Sequence, residues 1–243
     1  MIQPLIAAFA FLTRLPVWAG PISDRVLGRS VAFFPLVGLV LGLVVTGLGY
    51  WIMGTLTPTL GAVLLVALLA ALTGALHLDG LSDLFDGLGG GRGDRERVLA
   101  IMRDSRIGAH GAVALVLVLG AKIAAVAVLL ESRDFLGLMA FPVIARFAVV
   151  PQIVLFRYTR PEGLGRAFNG EARVVELAVA TATMVAVAIA LGPAIAREAG
   201  AAVGASVLIG FWLRARLGGL TGDIYGATIE ITETVALFVA AMR

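Results

Sequence analysis

The chain has 243 residues, 60% of them hydrophobic and only 14% charged, with a mean hydropathy of +1.00 and a formal net charge of +3. Soluble globular domains carry about 25% charged residues, so a soluble fold is excluded; recurring apolar runs of roughly 20 residues exclude disorder, collagen and coiled coil as well. Zero cysteines and two histidines rule out disulfide and thiol chemistry and leave any metal to oxygen ligands, which favours a hard cation such as magnesium, manganese or calcium.

The expected architecture is an all-α polytopic membrane bundle of about seven transmembrane helices, one integral membrane domain over residues 1–243. The first apolar stretch, Ile2 to Leu12, ends in Thr13-Arg14-Leu15-Pro16. It is too short to cross and reads as an interfacial or re-entrant helix, without the basic n-region and small-residue cleavage site of a signal peptide. Spans are predicted at 31–53, 59–78, 112–130, 135–155, 174–191, 200–216 and 227–242.

Of the 19 basic residues, 18 are arginine, and 14 fall on one side of these spans: Arg14, Arg25, Arg29, Arg92, Arg95, Arg97, Arg103, Arg106, Arg157, Arg160, Arg166, Arg173, Arg214 and Arg216. The other side has Arg133, Arg197 and Arg243, while Lys122 and Arg146 lie inside spans. The positive-inside rule makes the arginine-rich side cytoplasmic. The basic surplus therefore describes topology, not a nucleic-acid partner. The long polar loops 79–111, 156–173 and 217–226 all open to that one compartment, and the bilayer is the first partner.

The acids narrow the site. Asp79, Asp83 and Asp86 stand at i, i+4 and i+7 where a span meets the cytoplasm, in Leu76-His77-Leu78-Asp79-Gly80-Leu81-Ser82-Asp83-Leu84-Phe85-Asp86-Gly87. On a continuous helix they share one face. Three adjacent carboxylates repel, and each costs about 2.5–3.5 kcal/mol at bilayer depth; a divalent cation removes both penalties. The alternative, a solvated helix end, would show Lys or Glu between the aspartates rather than Gly, Leu, Ser and Phe. His77 is turned off that face and is as well explained by a satisfied interfacial position as by ligation. Gly87 and Gly89–Gly91 form either a flexible turn or a close approach for a phosphate. The segment 79–111 is thus a candidate cytoplasmic active-site loop.

Its second half carries Ile101-Met102-Arg103-Asp104-Ser105-Arg106-Ile107-Gly108. Arg103, Ser105 and Arg106 are candidates to hold a diphosphate, because the guanidinium fork matches phosphate geometry; a basic membrane anchor is the plainer reading. Asp104 either adds to the metal site or accepts a proton, and Asp86 and Asp104 are the candidate catalytic groups. A second acidic cluster spans 217–233, where Asp223, Gly226, Glu230 and Glu233 follow helical spacing into the last span. Ionisable groups at that depth face a bundle interior or a wet cavity, so the three acids are candidate substrate contacts, with Lys122 and Arg146 as natural counterions.

Together these stretches, with Phe11-Leu12-Thr13-Arg14-Leu15-Pro16, Phe34-Pro35-Leu36-Val37-Gly38, Arg160-Pro161-Glu162-Gly163-Leu164-Gly165 and Gly219-Leu220-Thr221-Gly222-Asp223, give six ordered motifs over nearly the whole chain. In them the chain resembles the cobalamin synthase family, the adenosylcobinamide-GDP ribazoletransferases. The resemblance implies a multi-pass enzyme of the bacterial inner membrane whose active site faces the cytoplasm. It would join adenosylcobinamide-GDP to alpha-ribazole or its 5'-phosphate, use magnesium, and release GMP in nucleotide-loop assembly. Association into a homo-oligomer or with other enzymes of the pathway stays open. Asp83-Leu84-Phe85-Asp86-Gly87 is also similar to the opening half of the CDP-alcohol phosphotransferase signature, but Gly90 and Gly91 stand where that signature has Ala-Arg, so its residue roles are not carried over. Two other classes compete. A secondary transporter would use Glu230, Glu233, Lys122 and Arg146 as an ion path, and a scaffold would need no acid clusters.

Overall fold

The computed structural model describes residues 2–17 and 20–242, the side chain of Leu164 apart; Arg243, counted above on the arginine-poor side, lies outside them. In chain order the helices are α1 (Ile2–Leu12), α2 (Asp24–Ser30), α3 (Phe34–Ile52), α4 (Pro58–Thr73), α5 (Leu76–Gly90), α6 (Arg95–Ile101) and α7 (Ala109–Glu131). They continue with α8 (Phe135–Ala148), α9 (Val150–Leu155), α10 (Leu164–Glu171), α11 (Val174–Leu191), α12 (Ile195–Leu217) and α13 (Gly222–Ala241). Among the described residues there is no named strand. The protein is a polytopic helical membrane bundle, as its composition demands: in hydrocarbon a helix satisfies its own backbone, which a loop cannot do.

Among the described residues six helical runs are long and apolar enough to cross a bilayer: Asp24–Ile52, Ala109–Glu131, Phe135–Leu155, Val174–Leu191, Ile195–Leu217 and Gly222–Ala241. The predicted span 59–78 is built differently. Its helix stops at Thr73, the chain bends by 91°, and α5 sets off in a new direction. Gly74 (φ 61°) and Ala75 (φ 56°) both adopt left-handed backbone, which ends a right-handed helix. Gly74 does so without steric cost, whereas Ala75 has a Cβ and is held there by its surroundings. The aspartate-bearing segment is thereby a helix in its own right instead of the continuation of a span.

The span of α8 and α9 and that of α13 are the most enclosed, with 72% of an apolar 18-residue stretch of each buried against 17% for α11. Polar side chains join these inner helices. Thr228 donates to Gln152 Oε1 (3.1 Å), Gln152 Nε2 donates to the Ser206 carbonyl (2.7 Å), and Ser206 Oγ donates to the Ala148 carbonyl (2.5 Å). Apolar packing alone cannot distinguish a neighbouring helix from lipid, so such bonds help to fix which helices are neighbours.

Helix α5 lies unusually close to α13. A Cβ at Gly80 would come within 2.7 Å of the Asp223 carbonyl oxygen, and one at Gly226 within 3.3 Å of His77 Cα. Since the obstacle at Gly80 is backbone, Gly80→Ala is expected to push the two helices apart at a cost of about 1–3 kcal/mol. A lowered thermal midpoint in detergent would show it; an unchanged midpoint would mean that the helices sit further apart than described.

Candidate active site

The segments predicted to lie on one side do gather at one end of the bundle. Residues 157–160 run beside 218–221 in a short parallel bridge between Tyr158 and Leu220, with Thr159 N donating to the Leu220 carbonyl (2.9 Å) and Leu220 N to the Arg157 carbonyl (2.8 Å). Arg95 at the start of α6 ties in a third loop, its Nε donating to the Leu217 carbonyl (2.7 Å) and its NH2 to Thr159 Oγ1 (3.0 Å). Asn169 of α10 fastens the end of α9 by donating to the carbonyls of Ile153 and Phe156 (both 2.7 Å).

These elements enclose a cavity of about 240 Å³. Helix α5 contributes Leu76, His77, Asp79 and Gly80, and α13 contributes Gly222, Asp223, Tyr225, Gly226 and Ile229. The 158–168 segment adds Tyr158, Arg160, Glu162 and Phe168, and Phe11, Phe34, Val149 and Ile153 form the apolar floor. Arg160 NH2 pairs with Asp223 Oδ2 at 2.6 Å, both groups largely shielded, and donates to the Met102 carbonyl at 3.4 Å. Asp83, one turn beyond Asp79 on α5, lies within electrostatic reach of Asp79, Asp86 and Asp223, with Arg160 as the cation facing it. Burial pushes the Tyr158 phenol up from its ordinary pKa, so it remains a neutral hydroxyl beside these charges.

The predicted residues divide sharply by position. Asp79 and Asp223, from opposite ends of the sequence, share the cavity wall, and Asp83 stands beside them. Asp86 does something more specific: its two carboxylate oxygens accept from the amides of Gly108 (2.7 Å), the residue just before α7, and of Gly111 (2.8 Å) in its first turn. A carboxylate from another helix thus caps α7, where unpaired amides and the helix dipole both favour negative charge. Because Asp86 is buried, Asp86→Ala is expected to cost about 1–3 kcal/mol by leaving those amides without an acceptor. Asp86→Asn, which keeps one acceptor oxygen, should lose less. Faster hydrogen exchange confined to the start of α7 is the measurement that identifies the cause.

Asp104 and Arg106 form an exposed fork at 2.6–3.1 Å outside the cavity, and Arg103 and Ser105 are exposed as well. Hydrogen bonds from Arg106 hold the Asp104 carboxyl below the usual carboxylate range, so it stays charged. Glu230 and Glu233 do not line the cavity. At 1.5 Å of rise per residue they sit about 10 and 15 Å further along α13 than Asp223. There Lys122 Nζ bonds Glu230 Oε2 (2.5 Å) and Glu233 Oε2, and Arg146 NH1 bonds Glu233 Oε1, a buried group of two cations and two anions. The glycines of the aspartate segment, Gly87, Gly89 and Gly90, are within α5, with Gly91 as its cap.

Sequence spacing gave no reason to choose His77, Tyr158, Arg160 or Tyr225, all of which line the cavity. His77 and Arg160 do occur inside the stretches quoted above, and that is the one signal they carry; Tyr225 lies two residues beyond the last of them, and Tyr158 has none, since its place depends on the bridge to Leu220.

Comparison with known proteins supplies the class of this site. The family model for cobalamin-5-phosphate synthase matches residues 4–241. The chain belongs to the cobalamin-5-phosphate synthase family. Three of its similar relatives are named adenosylcobinamide-GDP ribazoletransferase. That of Geotalea daltonii is 42% identical over 98% of this chain and 96% of its own, and that of Pseudomonas paraeruginosa 42% over 99% and 98%. That of Roseiflexus sp. is 44% identical over 96% and 87%. No solved structure matches significantly. As a cobalamin-5-phosphate synthase family member the chain is a membrane-embedded transferase of cobalamin biosynthesis, and the cavity between α5 and α13 is its candidate active site.

Proposed function

We propose that this enzyme joins adenosylcobinamide-GDP to alpha-ribazole or its 5'-phosphate, with magnesium, releases GMP, and works at the cytoplasmic face of a bacterial inner membrane. The observation that carries the reading is the meeting of Asp79 and Asp223 with Arg160 at one wall of an otherwise apolar cavity. The orientation rests on the arginine-rich loops gathering at that end.

The donor set fits magnesium. Among the described residues no three acidic or histidine side chains are grouped at metal-ligating spacing, but magnesium is commonly held by one or two carboxylates and completes its shell with water and phosphate oxygens. Asp79, Asp83, Asp86 and Asp223 face one arginine, an excess of negative charge that a divalent cation offsets. Asp79 and Asp83 would hold it, with Asp223 opposite; Asp86 is occupied with α7. The bound ion would supply Lewis-acid stabilisation of the charge developing on the diphosphate.

The side chains do the rest. Arg160, fixed in direction by Asp223 and the Met102 carbonyl, presents its guanidinium to a phosphate oxygen and draws charge toward the leaving GMP. Asp223 would accept the proton of the attacking ribose hydroxyl as the new oxygen–phosphorus bond forms and the bond to GMP breaks. The apolar floor keeps water from competing for the phosphorus. Arg103 and Arg106, exposed outside the cavity, would receive the nucleotide end of the donor rather than its reacting bond.

The test is direct: purified protein is incubated with adenosylcobinamide-GDP and alpha-ribazole, with and without magnesium, and a corrinoid product is sought by mass. Product only with magnesium is expected; none under any divalent ion would defeat the reading. The transporter reading is disfavoured because Lys122, Arg146, Glu230 and Glu233 close on one another rather than lining a path.

A further inference from the structure

The cavity away from its carboxylates is a chamber of rings. Phe11, Phe34 and Phe168 meet at centroid separations of 4.5–6.2 Å, and Tyr158 and Tyr225 stand 6.2 Å apart on the wall. Set among them are polar atoms with no hydrogen-bond partner among the described residues: both ring nitrogens of His77 and the hydroxyl of Tyr225. Both side chains are buried, at 2% and 6% exposure. Buried polar groups are rarely left unpaired in a native protein, and one that lines a pocket is a group that a ligand completes. An occupant of this chamber is therefore flat, largely apolar and able to make a small number of hydrogen bonds.

Four ring systems belong to the reactants proposed above: the corrin, the adenine of the adenosyl ligand, guanine and the acceptor's base. The corrinoid macrocycle is far larger than about 240 Å³. Guanine and adenine each carry more donors and acceptors than the Tyr225 hydroxyl and the two His77 nitrogens could meet, and a floor of Phe11, Phe34 and Phe168 would strip the rest of water without replacing their bonds. A benzimidazole riboside keeps a single unsubstituted ring nitrogen, an acceptor, on an otherwise apolar two-ring body. It can stack on the aromatic wall and leaves no further polar atom of the base unmet.

Resting on that reading of the reaction, we propose that this chamber is the acceptor-base subsite: it holds a benzimidazole-type ring, the Tyr225 hydroxyl donates to the free ring nitrogen, and His77 closes the same edge. The base so seated directs its ribose toward Asp79 and Asp223. Tyr225 and His77 then determine which acceptor is used, a task separate from the phosphoryl chemistry.

The test uses the full chain in nanodiscs and two acceptors, alpha-ribazole and an otherwise matching riboside of an indole-type base that lacks the free nitrogen. Tyr225→Phe is expected to raise KM for alpha-ribazole about five- to tenfold, the size of one neutral hydrogen bond, with KM for adenosylcobinamide-GDP and for the indole-type riboside unchanged. His77→Asn should shift the same parameter in the same direction. Since the Tyr225 hydroxyl has no partner among the described residues, Tyr225→Phe should not lower the thermal midpoint, which separates a binding role from a folding one. An unchanged KM for alpha-ribazole overturns the proposal, and so does a rise confined to the guanosine-bearing donor, which would give the chamber to guanine. Equilibrium dialysis with alpha-ribazole alone separates the two readings. Tyr225-dependent binding without any transfer keeps the subsite and loses the reaction; transfer with a Tyr225-independent KM keeps the reaction and loses the subsite.

Discussion

Asp79→Asn is expected to lower magnesium-dependent GMP release by about 10²–10³-fold, the scale on which removing one preorganised electrostatic group from an active site acts. The exchange preserves shape and removes one negative charge, so helix α5 and its packing on α13 should survive. Asp79 lines the cavity itself, which is why the loss should fall on turnover and on the magnesium concentration required, with little change in yield or thermal midpoint. Asp83→Asn should behave similarly, because it stands in the same field of carboxylates. Full turnover by both purified variants would remove these two residues from the metal site. The contrast with Asp86→Ala is itself informative: the same residue type, one turn further along the helix, should show its loss first as a loosened start of α7.

Glu233→Gln should act on the fold. Glu233 bonds both Lys122 and Arg146, and the side chains of Glu233 and Arg146 are 1% and 0% exposed. Neutralising it leaves two buried cations against Glu230 alone, and breaking a buried pair from one side costs about 3–5 kcal/mol. A markedly lower thermal midpoint and yield are expected, with the KM values of any surviving folded protein little changed. Removing one charge of each sign, in Lys122→Met with Glu230→Gln, keeps the group neutral and should cost less than Glu233→Gln alone. If Glu233→Gln folded normally but lost affinity for substrate, Glu233 would return to the binding site. The geometry thus favours a structural task for Glu230 and Glu233, the positions at which sequence spacing pointed to substrate.

What that spacing leaves out is depth. Asp223, Glu230 and Glu233 belong to one helical stripe, and periodicity reports the stripe without saying how far along it the cavity ends. The aspartates of α5 show the complementary limit. Their i, i+4, i+7 pattern reveals a shared face, but Asp86 is drawn out of the group by Gly108 and Gly111, whose amides reach it only because α7 starts where it does. The break after Thr73 was equally hard to read, since Ala75 is an unremarkable residue whose left-handed conformation is imposed by its neighbours.

By itself the sequence determined that this protein is a helical membrane bundle, because burying so apolar a chain in water is not feasible and only helices satisfy their backbone in lipid. It also determined the family, through ordered motifs over nearly the whole length, and the end of the bundle at which the acids concentrate. Tertiary structure alone decided which acids meet. Asp79 and Asp223 are 144 positions apart in the numbering and share a wall because Gly80 and Gly226 let two backbones approach. Arg160 and Tyr158 reach that wall through a bridge to Leu220, and Glu230 and Glu233 are kept from it by counterions on two other helices. Contacts between distant segments depend on packing distance and direction, and neither is written in the local order of residues.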